Sequence, residues 1–479
     1  MILPGHKTKI VCTIGPSSRG IPVLRNMIRA GMGVARINFS HGSLDEHRED
    51  IRNIRTLARE LNRPLPILAD LPGPKIRMGR LAKEPLVLKK GDEVTLTTDT
   101  AVLGEGRLLP VEFPALPDAV SRGSSIYVSD GVIRLKVQQV SGKEVRCKVL
   151  VGGELLSRKG INLPGGRILA EPISERDLDL VEFGLDEGVD VFGVSFVEKA
   201  SDIARVKDFA AKKGKDVFAV AKIERLQALR NIDEILQVSD GIMVARGDLG
   251  VELPIEEIAV IQKKLIAKAS RLCRPVITAT QMLLSMTDNT RPTRAESTDV
   301  ANAILDGTDA IMLSEETAVG KYPAEAVRMM GRIAASAERH RRDLSAVYGQ
   351  FGLDRRLAAA AGTSDVIART VIEAAWRVKP RLILTPSRTG ATARRVSTFK
   401  PDPWIISFSP SQGVVDFLGF SYGVYPFCFE AEGEDWLSSA TNMLKEAALL
   451  RTGDQVVLTQ GRFSPEHRTT DSMAIIKVP

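Results

Sequence analysis

Eight short, continuous apolar runs, each followed by a helical stretch, constrain this 479-residue chain more than any other feature. They are Lys9–Pro16, Val34–Ser40, Pro66–Leu71, Asp190–Phe196, Val217–Ile223, Gly241–Gly247, Pro275–Thr280 and Ala310–Ser314. Apolar residues that do not alternate with polar ones imply strands covered on both faces, as in parallel sheets. Helical signals fill the intervals. Ser43-Leu44-Asp45-Glu46 is a capping box that opens a stripe of Ile51, Ile54, Ala58 and Leu61. Thr293-Arg294-Ala295-Glu296 is a second box, and its helix stops at Gly307, a residue suited to the C′ position. The reading is an α/β fold, a (β/α)8 TIM barrel built from residues 1–72 and 169–335, close to the ~250 residues typical of that architecture.

Residues 73–168 have another texture. Gly, Pro, Val and Thr dominate, and Ser125–Val128 and Glu144–Val149 alternate with period two. An all-β lid inserted after the third barrel strand is expected there. Residues 336–479 return to alternating strands and helices, with strands expected at Leu382–Thr385, Trp404–Phe408, Gly423–Phe427, Gln455–Thr459 and Ala474–Val478 and a helix over Ser364–Val378. This predicts a C-terminal α/β domain.

Several function classes are disfavoured. No run approaches the ~18 apolar residues of a membrane span and nothing reads as a signal peptide, so a cytoplasmic protein is expected. Cys12, Cys147, Cys273 and Cys428 lie far apart, which argues against zinc and disulfides, and the five histidines are equally scattered. Net charge is +7, but the basic residues are spread along the chain with few aromatics between them, unlike a nucleic-acid surface. An excess of positive charge also suits multiply charged phosphates.

Charges are excluded from most of a barrel strand by its apolar neighbours, but at the C-terminal end they open into the mouth. Here they cluster at that end: Arg36, Asn38, Ser40 and His41 on strand two, Asp70 on strand three, Lys222 and Glu224 on strand five, Arg246 and Asp248 on strand six. Strand seven ends in Thr278, Thr280 and Gln281, and strand eight in Ser314 and Glu316. Lys222 and Glu224, two apart, face one side. Glu224 and Asp248, on neighbouring strands, can meet one hard cation, the usual way of holding Mg2+. A lysine beside them can neutralise a migrating phosphoryl group. A structural ion pair between Lys222 and Glu224 is the plainer alternative. Arg36, on the same face as Asn38, is a candidate phosphate clamp.

These segments resemble the signature blocks of pyruvate kinases: Val34-Ala-Arg-Ile-Asn-Phe-Ser-His-Gly42, Ala221-Lys-Ile-Glu224, Met243-Val-Ala-Arg-Gly-Asp-Leu-Gly250, Ala279-Thr-Gln-Met-Leu283 and Arg291-Pro-Thr-Arg-Ala-Glu296. Lys9-Ile-Val-Cys-Thr-Ile-Gly-Pro-Ser17 and Lys159-Gly-Ile-Asn-Leu-Pro-Gly165 do so too, all in the family's order. The resemblance implies Mg2+-dependent phosphoryl transfer from phosphoenolpyruvate to ADP, giving ATP and pyruvate as the last step of glycolysis, with Mn2+ able to replace Mg2+. It implies that Glu224 and Asp248 ligate the metal and that Lys222 stabilises the transferring group and the enolate. Arg36 and Arg77 would contact phosphate, and Thr280 with Gly247 would hold the carboxylate of the substrate, Asp248 standing beside it. Asn38, His41 and the lid residue Lys159 would meet the nucleotide, with Arg77 near it. Thr280 and Ser314, through water, are the local candidates to protonate the enolate. The family is usually tetrameric.

Two departures stand out. Potassium-dependent members read Asp-Thr-Lys-Gly-Pro-Glu after strand three; this chain reads Asp70-Leu71-Pro72-Gly73-Pro74-Lys75. The monovalent-cation site of the family corresponds to Asn38, Ser40, Asp70 and Leu71, with Lys75 as a tethered substitute, so no K+ requirement is expected. At Glu315 the family usually has glycine, and the sequence offers no functional account of that.

In the last domain, Thr385, Ser387, Arg388, Thr389, Gly390 and Thr392 run from a strand into a helix. Hydroxyls and amides at such a turn can cradle a phosphate, and the family's sugar-phosphate or nucleotide effector binds in the matching loop; an ordinary strand–helix turn is the alternative. Two rival functions remain: a Mg2+-dependent pyruvate or phosphoenolpyruvate aldolase-type barrel, and a non-catalytic sugar-phosphate sensor.

Overall fold

The computed structural model describes residues 3–129, 131–164, 172–347, 362–429, 436–461 and 470–479. The expected junction at 168/169 and Gly165 of the lid block lie outside them. Eight parallel strands close into a barrel: Lys9–Thr13, Val34–Asn38, Ile67–Asp70, Val191–Val194, Phe218–Ile223, Gly241–Ala245, Val276–Ala279 and Ala310–Leu313. The apolar runs therefore fall where the sequence puts them, and Asn38, Asp70 and Lys222 lie in the last two residues of their strands. Both capping boxes form, at Ser43 and Thr293, and Gly307 takes φ 98°. The helix Pro323–Val347 continues past residue 335 and packs on the barrel helices Ile21–Ala30 and Arg294–Leu305.

The inserted segment forms a seven-stranded sheet with its own apolar core, from Ile76 to Leu163, and a two-stranded ribbon. One helical turn, Leu116–Ala119, breaks its β texture. Its strand Gly160–Asn162 lies against the short helix Arg246–Glu252 at the barrel mouth. A single buried carboxylate joins the two ends of the insertion. Asp177 Oδ1 accepts the Gly73 amide at 3.1 Å, on the outgoing side, while Oδ2 accepts the Ser174 amide at 2.8 Å and hydroxyl at 2.5 Å on the returning side.

The C-terminal sheet runs in the order Val424–Cys428, Trp404–Ser409, Leu382–Pro386, Gln455–Gln460 and Ser472–Lys477, parallel except for the last strand. This domain seals the floor of the barrel. Phe417 and Phe420 join Val11, Val34, Leu68, Val191, Val220, Met243 and Ile277 in one cluster inside the barrel. Phe417 stacks on Phe218 at 4.4 Å and 6°. Beside them Asp309 Oδ1 accepts from Lys400 Nζ at 2.5 Å and the Tyr422 amide at 3.1 Å, and Oδ2 from the Val276 amide at 3.1 Å. Among the described residues, no helix is long and apolar enough to cross a membrane.

Candidate active site

Strand register brings the charged ends together. Asn38 pairs with Asp70, and Asp70 with Gly193 on the next strand. A side chain at Gly193 would collide with Asp70 Oδ1, so glycine there makes room for the carboxylate. Arg36 Nε donates to Asp70 Oδ2 at 3.0 Å, Nη2 closes a second bond to the same oxygen, and Nη1 reaches Thr13 Oγ1 at 2.8 Å. Lys222 Nζ lies 3.3 Å from that Asp70 oxygen and 3.0 Å from Glu224 Oε1, and donates to Ser195 Oγ at 2.7 Å. Ser195 in turn donates to the Leu71 carbonyl at 2.6 Å, and the Phe196 amide to Glu224 Oε2 at 2.7 Å.

All of these charged groups are buried. Burial alone would lower the Lys222 pKa, but Asp70 and Glu224 outweigh it and the net shift is upward, so the ammonium is a fixed positive charge. Burial would raise Asp70, but Arg36 and Lys222 hold it below the usual carboxylate range. Glu224 goes the other way. Burial raises it most, Lys222 only partly offsets this, and the charge of Asp248 raises it further. A buried carboxylate with a second carboxylate nearby and too little positive charge is what a divalent cation would satisfy. Among the described residues no cluster of three or more His, Cys, Asp or Glu could hold a metal. Two carboxylates are too few for a closed structural site.

The other wall of the mouth is a strained turn. Thr280 and Gln281 have φ 69° and 53°, in the left-handed region that costs non-glycine residues about 1–3 kcal/mol each. Thr280 Oγ1 accepts the Gly247 amide at 2.8 Å and donates to the Ala279 carbonyl at 2.6 Å. Asp248 sits in the first turn of the helix Arg246–Glu252. Ser314 follows the eighth strand, its amide donating to Glu316 Oε2 at 2.7 Å, and Glu316 also takes the Leu283 amide at 3.0 Å. Glu316 is therefore occupied in holding two loops, and Glu315 is exposed with no visible task.

Toward the lid, Lys75 Nζ lies 3.9 Å from Asp248 Oδ1, and its chain fills the space a side chain at Gly160 would need. Asn38 Oδ1 accepts the Ser40 amide at 3.1 Å, and Leu71 is buried. His41 is exposed; partial burial and the charges of Arg77, Lys75 and Arg36 hold its pKa below the usual imidazole value. Arg77 pairs with Gly160 across the lid sheet and donates to the Arg158 carbonyl at 3.2 Å, next to the exposed Lys159. His41, Arg77, Lys75 and Arg36 thus lie close enough to act on one another, and Lys75 links them to Asp248. The C-terminal loop lies elsewhere, and part of its hydroxyl set is used internally: buried Thr385 donates to Ile406 O at 3.4 Å, and Thr392 bonds Thr470 at 2.5 Å. Gly390 takes φ 72°, and Ser387, Arg388 and Thr389 lie toward the surface.

Sequence reasoning overlooked Ser195, which carries no charge to flag it, and gave Asp70 a place at a cation site without its bonds to Arg36 and Lys222. The positive φ of Phe196, 54°, and the clash its ring would make with any side chain at Gly73 mark that corner only in three dimensions.

Comparison with known proteins identifies the family. A family model described as pyruvate kinase, barrel domain, matches residues 5–327, and one described as pyruvate kinase, alpha/beta domain, matches 365–476. The chain is 49% identical over 479 residues to the pyruvate kinase of Thermococcus litoralis, covering all of both chains. It is 42% identical over 481 residues to pyruvate kinase 2 of Synechocystis sp., covering 99% of this chain and 79% of that one. A solved structure of a pyruvate kinase from Cryptosporidium parvum superposes with a TM-score of 0.90 at 36% identity, covering 99% of this chain and 97% of the other. The chain is a phosphotransferase and belongs to the pyruvate kinase family.

Proposed function

We propose that this enzyme transfers the phosphoryl group of phosphoenolpyruvate to ADP, yielding pyruvate and ATP as the final step of glycolysis in the cytoplasm. The observation that carries the reading is the Lys222 ammonium, fixed between Asp70, Glu224 and Ser195 at the mouth of the barrel. Glu224 and Asp248 would hold Mg2+, or Mn2+ in its place, and the ion would supply Lewis-acid charge to the reacting group. Lys222 and Arg36 neutralise the group in flight; most of the catalytic effect is positioning and charge. Thr280 and the Gly247 amide hold the carboxylate, and Thr280 or Ser314 passes a proton through water to the enolate carbon. Asn38, His41, Arg77 and Lys159 receive the nucleotide as the lid, residues 73–168, covers the catalytic barrel of 1–72 and 169–335. Residues 336–479 form a regulatory domain whose 385–392 loop takes a sugar phosphate or nucleotide, in a homotetramer.

Lys75 stands as the tethered cation in place of K+, supported by its ammonium lying 3.9 Å from Asp248. An aldolase-type barrel would have no use for the lid, and a non-catalytic sensor would have no need of Lys222, Glu224 and Thr280 together. Pyruvate formation coupled to lactate dehydrogenase, with phosphoenolpyruvate, ADP and Mg2+ in buffer free of K+ and Na+, tests the reading. Turnover in that buffer is expected. No pyruvate with or without KCl would remove the function, and many-fold activation by KCl would remove the potassium independence.

A further inference from the structure

We infer that Arg246 is a positioning residue for Thr280, acting through the backbone of the strained turn; the inference rests on the role proposed for Thr280. Nε of Arg246 donates to the Ala279 carbonyl at 3.2 Å and Nη2 to the Thr280 carbonyl at 2.8 Å. Nη1 reaches Asp299 at 2.7 Å and Gln262 at 3.4 Å, on two separate outer helices. The fork thus ties the seventh strand's end to two outer helices, Ile258–Arg271 and Arg294–Leu305. The residue after Arg246, Gly247, gives its amide to Thr280 Oγ1 at 2.8 Å. One dipeptide therefore grips both the backbone and the hydroxyl of a threonine whose φ of 69° a β-branched residue rarely adopts. Each carbonyl in the turn takes its own guanidinium N–H, a geometry a lysine ammonium cannot reproduce. The Arg246 side chain is mostly covered.

The test is a double-mutant cycle on the full enzyme with Arg246→Ala, Arg246→Lys and Thr280→Ala. Arg246→Ala is expected to lower kcat about 30-fold with the ADP KM within about twofold, and Arg246→Lys to lose most of the same activity. If Arg246 works through Thr280, Arg246→Ala/Thr280→Ala is no slower than Thr280→Ala alone, and guanidinium chloride at low millimolar concentration partly restores Arg246→Ala but not the double variant. Additive losses, no guanidinium rescue, or an Arg246→Lys enzyme with full kcat would overturn the inference. If Arg246→Ala does not fold, Arg246→Lys in the same cycle decides it. An unmodified enzyme that makes no pyruvate defeats the proposed function first, and this inference with it.

Discussion

The two ends of the barrel solve the same electrostatic problem in opposite ways. Each buries a lysine against an aspartate. At the floor, Lys400 and Asp309 are closed off: both oxygens of Asp309 are filled, and the Lys400 ammonium sits 5.0 Å over the Tyr422 ring. At the mouth, Lys222 meets Asp70, yet among the described residues Asp70 Oδ1 has no partner, Glu224 is pushed toward its neutral form, and the backbone at Thr280 is strained. A saturated network stabilises, because every buried polar atom is compensated. An unsaturated one keeps bonding capacity for something that arrives later. The parallel strands are common to both ends; what differs is what is left unfilled.

That contrast can be broken by exchange of single residues. Lys222→Met is expected to reduce kcat by about 10^3–10^4, or about 4–5.5 kcal/mol of transition-state stabilisation, in protein that is still folded by circular dichroism. A loss under tenfold in the coupled assay would mean the mouth does not depend on this charge. Phe417→Ala should do the reverse: about 3–4 kcal/mol less stability in urea denaturation, with kcat within about threefold of the parent. An enzyme of unchanged stability would show that the aromatic plug is not what seals the floor.

Lys75→Glu sharpens the comparison at the mouth alone. Activity without monovalent cation should fall about 10–100-fold and return with KCl, measured by titrating the salt at constant ionic strength. Loss that KCl does not restore would assign Lys75 another task. The smallest expected effect is on His41, whose imidazolium is disfavoured by burial and by Arg77, Lys75 and Arg36. Because the shift is downward, the neutral ring is favoured to lower pH than in an ordinary histidine, and replacing Lys75 by an anion should move its titration upward in an NMR pH series. No movement would separate Lys75 from the nucleotide side of the mouth.

The barrel was legible because unbroken apolar runs such as Val191–Val194 have no other stable use than a strand covered on both faces. The mouth was legible because charges such as Lys222 and Glu224 are out of place at the ends of such runs. What the chain order hid is contact between distant segments. Phe417 and Phe420 sit in an ordinary-looking apolar stretch, and nothing local says that they enter a different domain's barrel. Arg246 was visible as a charge at a strand end, but its bonds to the turn after strand seven depend on how two neighbouring strands stop. Ser195 was hidden for a simpler reason: a serine after an apolar run is common, and only its two bonds distinguish it.

The carboxylate of Asp177 has a consequence for how the lid could have been acquired. It receives the chain as it leaves for the lid and again as it returns, so the barrel sees a hundred-residue insertion as a short hairpin of fixed gape. Closing a long loop costs free energy that grows only slowly with its length. With the ends already clasped, the length of chain between them adds little to the cost of closing the barrel. The lid is in that sense free to lengthen or shorten away from its seat, while its strand Gly160–Asn162 keeps its fit against the helix Arg246–Glu252.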